Sequence, residues 1–434
     1  MQRRVLVGEL GAHIDQQVEI AGWLHRQRQL SHVSFLIIRD RSGLGQVVIT
    51  DADQARQLAT ATGETVMAVR GRCVRNEKAP GGVELHGPEI EILAAPAQAP
   101  PIDVWRPELT ETLPVRLDLA PLALRHPRQR ATFQLAAAAI AGFRQTLTGA
   151  GFTEVQTPKI VGSATESGAN VFTLDYFGRP AYLAQSPQFY KQTMVGVFER
   201  VFETGPVFRA EPHDTPRHLS EYVSLDAEIG FITDYHDVIA ILRDAIAGML
   251  TAITRDSQPA IELLDLQVPL VPGQIPEIDF TAALELISAD TGADLAGEND
   301  LAPAHERWLG DWAAREHRSE FVFVTGYPMS KRPFYTHPNP DRPTVSNSFD
   351  LLFRGLELVT GGQRLHHYED YIAALLARDR DPADYAGYLA AFEYGMPPHG
   401  GFAIGLERFI ARLTGAANVR ETTLFPRDLT RLTP

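Results

Sequence analysis

The sequence predicts a multidomain α+β protein, with a small all-β domain followed by a larger one that mixes strands and helices. Three observations carry this. Residues 1–95 hold five β-rich runs and few helix signals. A proline-rich stretch follows. Beyond it, a long alanine-rich helical pattern opens a region where glycine-rich strands alternate with amphipathic helices.

The 434 residues suffice for two or three domains and a large core. A hydrophobic content of 44% and a charged content of 22% are those of a globular protein. No apolar run is long enough to cross a bilayer, and no signal-peptide pattern opens the chain. Cys73 is the single cysteine, which excludes an internal disulfide and a cysteine-rich zinc site. These features imply a cytoplasmic protein with no membrane partner. The net charge of −14 argues against a nucleic-acid partner, but the first 100 residues carry none of it. Arg26, Arg28, Arg39 and Arg41 form a local basic cluster there, compatible with RNA without suggesting it.

Val18–Leu24, Phe35–Arg39, Gln46–Thr50, Val66–Val74 and Glu89–Leu93 read as strands. Gly43, Gly45, Asn76 and Pro80-Gly81-Gly82 punctuate them, and Asp53–Ala61 reads as a short helix. Five strands and one helix fit a five-stranded OB-fold β-barrel, which commonly binds single-stranded nucleic acid. A generic small barrel fits the same signals, and periodicity alone makes Phe35 a core residue. Residues 96–125 are expected to be a linker or hinge, because their prolines exclude a long helix. Residues 126–434 form the second domain. It opens on a helix, Arg128–Thr148, with Phe133, Ala137, Ile140, Phe143 and Leu147 at helical spacing; Gly149 and Gly151 end it.

The richest stretch is Val201–Glu228. Val207 and Phe208 bring Arg209 and Glu211 to a strand end. Pro212, Asp214, Thr215 and Pro216 make a loop, Arg217 and His218 follow, and the return strand carries Asp226 and Glu228. Two arginines on a polar hairpin suit phosphate or carboxylate, which guanidinium holds bidentately. An exposed hairpin with ordinary surface charges reads the same way. A second stretch, Phe349–Asp370, gives a strand through Glu357, then Gly361-Gly362, where backbone could approach a ligand, then Arg364.

The FRAE and RHLSEY segments of Val201–Glu228 resemble motif 2 of the class II aminoacyl-tRNA synthetases. Gly151–Ile160 resembles motif 1, and His399–Ile410 resembles motif 3. Three motifs in order and spacing over roughly the last 300 residues make this specific. Over nearly its whole length the chain is similar to the archaeal-type (type 2) aspartyl-tRNA synthetases. That resemblance implies a class II catalytic domain, an antiparallel sheet flanked by helices, at residues 126–434, and an anticodon-binding barrel at 1–95. It implies a ligase that activates L-aspartate with ATP and Mg²⁺ and transfers it to tRNA. Arg209, Glu211 and Arg408 would be catalytic. Arg209, Ala210, Glu211, Arg217, His218, Leu219, Glu357, Gly405, Leu406, Glu407 and Arg408 would bind ATP, and Glu357 and Thr360 the metal. Glu166, Gln188, Lys191, Arg209, Asp226, Thr360 and Arg364 would bind aspartate; Lys191, read alone at a helix start, belongs on a solvated face.

On the barrel, Phe35 and Gln46 would contact the anticodon. His25 and Pro80 stand where members specific for tRNA-Asp carry tryptophan and lysine. This resembles the non-discriminating type, which charges both tRNA-Asp and tRNA-Asn; two drifted positions in a discriminating enzyme would look the same. The resemblance further implies a homodimer through motif 1. If tRNA-Asn is charged with aspartate, an aspartyl/glutamyl-tRNA amidotransferase would be a partner. An asparaginyl-tRNA synthetase is disfavoured by Gln185-Ser186-Pro187-Gln188 and by Asp226, and a catalytically dead RNA-binding paralogue by the presence of Arg209, Glu211, Glu357 and Arg408. The Met329-Ser330-Lys331 triplet lacks the context of a class I signature.

Overall fold

A computed structural model describes residues 4–162 and 170–433. They fall into two compact units, residues 1–129 and 130–434.

In the first unit, β1 (Gln17–Gln29), β2 (Ser34–Arg39), β3 (Leu44–Ile49), β4 (Val66–Arg75) and β5 (Val83–Ala94) close into a barrel in the order β1-β2-β3-β5-β4. Alternation decides the inside: Val18, Ile20, Leu36, Ile38, Val47, Met67, Val69, Cys73 and Leu85 fill it. A 3₁₀ turn not anticipated from the sequence, Val7–His13, adds Val7 and Leu10 to this core. β5 begins six residues before the expected Glu89, directly after the Pro80–Gly82 turn, where Gly81 and Gly82 take positive φ angles of 69° and 73°. The expected helix is present at Ala52–Leu58, with the Asp51 side chain accepting from the Gln54 amide at its start. Residues 96–125, expected as a linker, fall within the first compact unit and hold two short helices, Leu113–Asp118 and Ala120–Ala123, with Ile102, Val104 and Ala123 in a small buried cluster.

The second unit adds β6 (Thr153–Glu154), β7 (Ile160–Val161), β8 (Thr173–Tyr176), β9 (Arg179–Leu183), β10 (Arg200–Phe208), β11 (Glu221–Gly230), β12 (Glu277–Asp279), β13 (Phe321–Thr325), β14 (Ser348–Phe353), β15 (Leu356–Gln363) and β16 (His399–Gly405). Eight of them make one sheet in the order β12-β13-β14-β15-β16-β11-β10-β6, while β7, β9 and β8 make a small separate one. In the large sheet only the short edge strands β12 and β6 pair in parallel; every other pairing is antiparallel. The helices Pro127–Gly149 and Tyr235–Asp256 pack on it. Phe143, Leu147, Leu242, Ile246 and Met249 meet Phe202, Leu225, Phe349 and Phe402 in the main core. On the first helix the expected stripe is half right. Phe143 and Leu147 are buried, but Leu135, Ala138, Ala139 and Gly142 complete the core face, and Ala137 is exposed. A run of alanines carries too little contrast to fix the phase of a stripe.

This order places β15, β16 and β11 side by side at the centre of the sheet. Two glycine pairs, Gly361-Gly362 and Gly400-Gly401, meet across β15 and β16, with Gly362 opposite Gly401. A Cβ at Gly401 would collide with the Glu228 carboxylate, and one at Gly361 with the Phe349 ring. The glycines therefore make room for a buried acid and an aromatic ring.

Candidate active site

The hairpin β10–β11 pairs from Arg200 with Ile229 to Phe208 with Glu221, so residues 209–220 form the loop at its end. β16 lies along the other side of β11, with Ser224 opposite Gly405, and runs directly into the helix Leu406–Thr414. β15 flanks β16, with Thr360 opposite Ala403. The loop, β15 and the β16–helix junction enclose a cavity of about 250 Å³. Arg209, Glu211, Arg217, His218, Leu219, Glu357, Thr360, Gly405, Glu407 and Arg408 all line it. Stretches more than a hundred residues apart in sequence thus meet in one place.

The electrostatics of this cavity are mixed. Arg209 stacks over the Tyr222 ring, its guanidinium carbon 5.7 Å from the centroid. Arg408 Nη1 lies 3.9 Å from Glu357 Oε1, and Arg217 Nη1 is 3.4 Å from Glu306 Oε2. Glu306 was not anticipated. It sits on the helix Pro303–His317, is 6% exposed, and also accepts the Glu357 backbone N–H at 2.9 Å. Thr360 Oγ1 donates to Glu357 Oε1 at 3.3 Å. The surrounding protein pushes the Glu357 carboxyl up, Asp350 adds to this, and Arg408 opposes it. The side chain still keeps 42% of its surface, open to the cavity. Burial also raises Glu407 to about 7, although its carboxylate accepts the Val223 N–H. His218 is held low by burial and by Arg408, and its Nδ1 lies 2.6 Å from Thr215 Oγ1.

Under β16 lies a second polar group, in which every member is buried. Lys191 is 1% exposed on the helix Gln188–Phe198, not on a solvated face. Its Nζ donates to Asp226 Oδ1 at 3.0 Å and to the Phe402 carbonyl at 3.2 Å, and stands 3.3 Å from Glu228 Oε2. Arg364 donates from Nε to Glu228 Oε1 at 3.0 Å and from Nη2 to the Gly401 carbonyl at 3.0 Å. Two cations face two acids. Burial disfavours the charge on Glu228, but Arg364 and Lys191 outweigh it and hold its carboxyl below the usual range. Next to them Gln192, 0% exposed, takes Gln188 Nε2–H on its carbonyl oxygen at 2.9 Å and donates to Tyr371 and to His399 Nε2. His399 Nδ1 reaches the Pro397 carbonyl, and burial lowers its ring to about 4, so the ring is neutral. Glu228 and Gln192 were missed as site residues. Their only sequence signal was position, two residues beyond Asp226 and one beyond Lys191. Glu166 lies outside the described residues.

On the barrel, the pairings put Arg28, Phe35 and Val48 in one cross-strand row and Arg26, Ile37, Gln46 and Glu84 in another two residues along β2. Phe35 alternates with the fully buried Leu36, so it faces outward and is not in the core. Gln46 Nε2 donates to Glu84 Oε2 at 2.7 Å. Of the four arginines in the local cluster, Arg39 is buried. It forms a bidentate pair with Glu64, with both N···O distances 2.8 Å, and so contributes little to a basic surface. His25 is the extra residue of a β-bulge between Leu24 and Arg26. It points at Arg39, Nδ1 to Nη1 3.1 Å, is 6% exposed, and is lowered to about 4 by burial and Arg39. Pro80 sits in the turn between β4 and β5, away from such a network.

A nucleic-acid-binding type of barrel joined to a domain with an antiparallel sheet, an arginine-bearing loop over a cavity and a strand–helix junction facing it defines the class II aminoacyl-tRNA synthetases. Residues 112–429 match the family model "tRNA synthetases class II (D, K and N)", and residues 18–93 match "OB-fold nucleic acid binding domain". The chain belongs to the class II aminoacyl-tRNA synthetases of the D, K and N group. It is 45% identical to the aspartate–tRNA(Asp/Asn) ligase of Thermus thermophilus, over 99% of this chain and 100% of that one. It is 44% identical to the protein of the same description from Deinococcus radiodurans, over 100% and 99%. Among solved structures it resembles the asparaginyl-tRNA synthetase of Pyrococcus horikoshii complexed with asparaginyl-adenylate, with a TM-score of 0.93, 29% identity and full coverage of both chains. It also resembles the aspartyl-tRNA synthetase of Entamoeba histolytica, with a TM-score of 0.87 and 28% identity, covering 100% of this chain and 93% of that one. Among the described residues no helix is long and apolar enough to cross a membrane.

Proposed function

We propose that the protein is an aspartate–tRNA ligase that charges both tRNA-Asp and tRNA-Asn. The observation that carries the aspartate reading is the buried pair of cations, Lys191 and Arg364, organised by Asp226 and Glu228. Arg364 Nη1 has no partner among the described residues, so one N–H edge remains for the substrate's side-chain carboxylate. The full-length similarity to ligases described for tRNA(Asp/Asn) supports the broader tRNA range.

In this reading the 250 Å³ cavity takes ATP. An oxygen of the aspartate α-carboxylate attacks the α-phosphorus; the bond from that phosphorus to the α,β-bridging oxygen breaks, and pyrophosphate leaves with that oxygen and the electron pair. The terminal ribose hydroxyl of tRNA then attacks the acyl carbon, and AMP leaves with the electron pair of the cleaved anhydride bond. Such transfers need positioning and charge neutralisation more than a dedicated base. Arg209, directly after β10, holds the α-phosphate and the α-carboxylate together. Glu211 orients the nucleotide, with the backbone of Ala210 beside it. Arg217, His218 and Leu219 hold the outer phosphates and the base, and Gly405 to Arg408 close the opposite wall. Glu166, Gln188 and Thr360 complete the aspartate site.

The donor set suits magnesium. Glu357 and Thr360 offer hard oxygens beside one another, and no group of three or more His, Cys, Asp or Glu among the described residues would hold a metal without phosphate and water. Bound there with ATP, Mg²⁺ would neutralise phosphate charge.

On the barrel, the outward Phe35 stacks on an unpaired anticodon base and Gln46 hydrogen-bonds another, such stacking contributing about 1–3 kcal/mol per base. His25 and Pro80 make the reading of the third anticodon base permissive. His25, being buried, acts by what it leaves out of the surface and not by contact. Residues 1–95 are the anticodon-binding domain, 96–125 the hinge and 126–434 the catalytic domain of a homodimer. Aspartyl-tRNA-Asn would pass to a separate amidotransferase. The enzyme is tested by ATP–pyrophosphate exchange: aspartate is expected to support it and asparagine not. Exchange with asparagine alone would favour the asparaginyl reading, which the likeness to the Pyrococcus horikoshii structure keeps in view.

A further inference from the structure

The loop of residues 209–220 turns its inner side to the cavity. Within it, Arg209 N–H donates to the Ser220 carbonyl, His213 N–H to that of Glu211 and His218 N–H to that of Thr215, and Thr215 Oγ1 accepts the Arg217 N–H at 3.2 Å and meets His218 Nδ1, so Thr215 is the residue on which Arg217 and His218 are set. The loop's outer side is held from the far end of the chain. Arg420, in the 3₁₀ turn Val419–Thr422, is 8% exposed and spends all three guanidinium nitrogens. Nη2 donates to Asp214 Oδ1 at 2.8 Å, Nη1 to the Thr215 carbonyl at 3.2 Å and Nε to Asp428 Oδ2 at 2.5 Å. Two backbone bonds flank it: Val419 N–H to the Pro216 carbonyl at 2.9 Å, and Ser220 N–H to the Arg427 carbonyl at 2.8 Å. The same turn is tied to the opposite wall of the cavity, because Thr422 Oγ1 donates to the Glu407 carbonyl at 2.9 Å.

We propose that Arg420 is a positioning residue for the nucleotide: it braces the 209–220 loop from outside, so that Arg217 and His218 stand ready for ATP. This rests on the cavity's being the nucleotide site. A planar guanidinium with three acceptors fixes two loop residues in both distance and direction, which neither a lysine nor a single hydrogen bond can do. Without it, the Asp214–His218 part of the loop must be ordered by ATP itself, and that cost falls on nucleotide binding, while Arg209, which also serves aspartate, stays fixed at the hairpin base by its N–H bond to the Ser220 carbonyl. The aspartate pocket, built on β11, β15 and the helix Gln188–Phe198, makes no contact with Arg420 and should not register the change.

The test is aspartate-dependent ATP–pyrophosphate exchange on the full-length protein. Arg420→Ala is expected to raise the KM for ATP by about tenfold or more and to leave the KM for aspartate within about twofold. Asp214→Ala removes one of the two loop-end bonds and leaves that to the Thr215 carbonyl, at a side chain 61% exposed and outside the core. It is expected to raise the KM for ATP about threefold. An unchanged KM for ATP in Arg420→Ala, or parallel rises for ATP and aspartate, would overturn the brace. Should Arg420→Ala not fold, Asp214→Ala decides in the same way. Absence of exchange in the unaltered protein would count against the nucleotide reading, not the brace.

Discussion

Replacing Arg364 by glutamine is expected to abolish aspartate activation, lowering kcat/KM for aspartate by about 10³-fold or more, while ATP still binds. Arg364 stands on the strand side of the buried group, its Nε committed to Glu228 and its Nη2 to the Gly401 carbonyl. A substrate carboxylate would meet the remaining edge of a cation that the protein already holds in place. Glutamine is shorter and uncharged, and it cannot present two parallel N–H groups to a carboxylate. A site that loses such a group leaves its ligand's charge buried without a partner, and discrimination on that basis is large. Arg364 does not line the nucleotide cavity, so ATP binding measured by calorimetry should survive. Undiminished aspartate-dependent exchange in the variant would remove Arg364 from the aspartate site.

Lys191→Met is expected to destabilise the protein by about 3–5 kcal/mol at neutral pH. Methionine keeps the bulk of the stem but takes the ion pair from the buried Asp226 and, among the described residues, leaves Glu228 paired with Arg364. The effect should depend on pH in a defined direction. Glu228 is held below its ordinary range, so its ion pairs contribute stability above the unfolded-state value, and that stability is lost as pH falls through the folded one. The variant lacks part of what holds it down. Its deficit should therefore be largest near pH 7 and shrink toward about pH 4, where a protonated carboxyl needs no cation. Denaturation curves of both proteins at several pH values measure this. A deficit that is flat with pH, or below about 1 kcal/mol, would mean that Lys191 is not carrying buried charge.

The sequence was most readable where chemistry and spacing coincide. The hairpin with Arg209 and Glu211, the glycine-rich strand entering a helix at Gly405, and Glu357 seven residues before Arg364 were all visible. The sheet brings the first three of these groups to one cavity and buries Arg364 beside it. Periodicity failed in three instructive ways. It put Phe35 in the core because a β-strand flanked by apolar residues gives no phase until a partner strand sets it. It put Lys191 on a solvated face because helical position says nothing about two acids on another strand. It could not find His25 in a bulge, since one extra residue re-aims a side chain without changing composition. Glu306 and Arg420 were invisible for a different reason. Each acts through long-range contacts, 51 residues to Glu357 and 206 to Asp214, that no local pattern encodes.

The measurement that tests the central claim most directly is aminoacylation with labelled aspartate and labelled asparagine, each against tRNA-Asp and tRNA-Asn transcripts. Aspartate is expected on both tRNAs and asparagine on neither. Aspartate on tRNA-Asp alone would contradict the permissive role of His25 and Pro80, and asparagine on tRNA-Asn would contradict the assignment of Arg364 and Lys191 to an aspartate pocket.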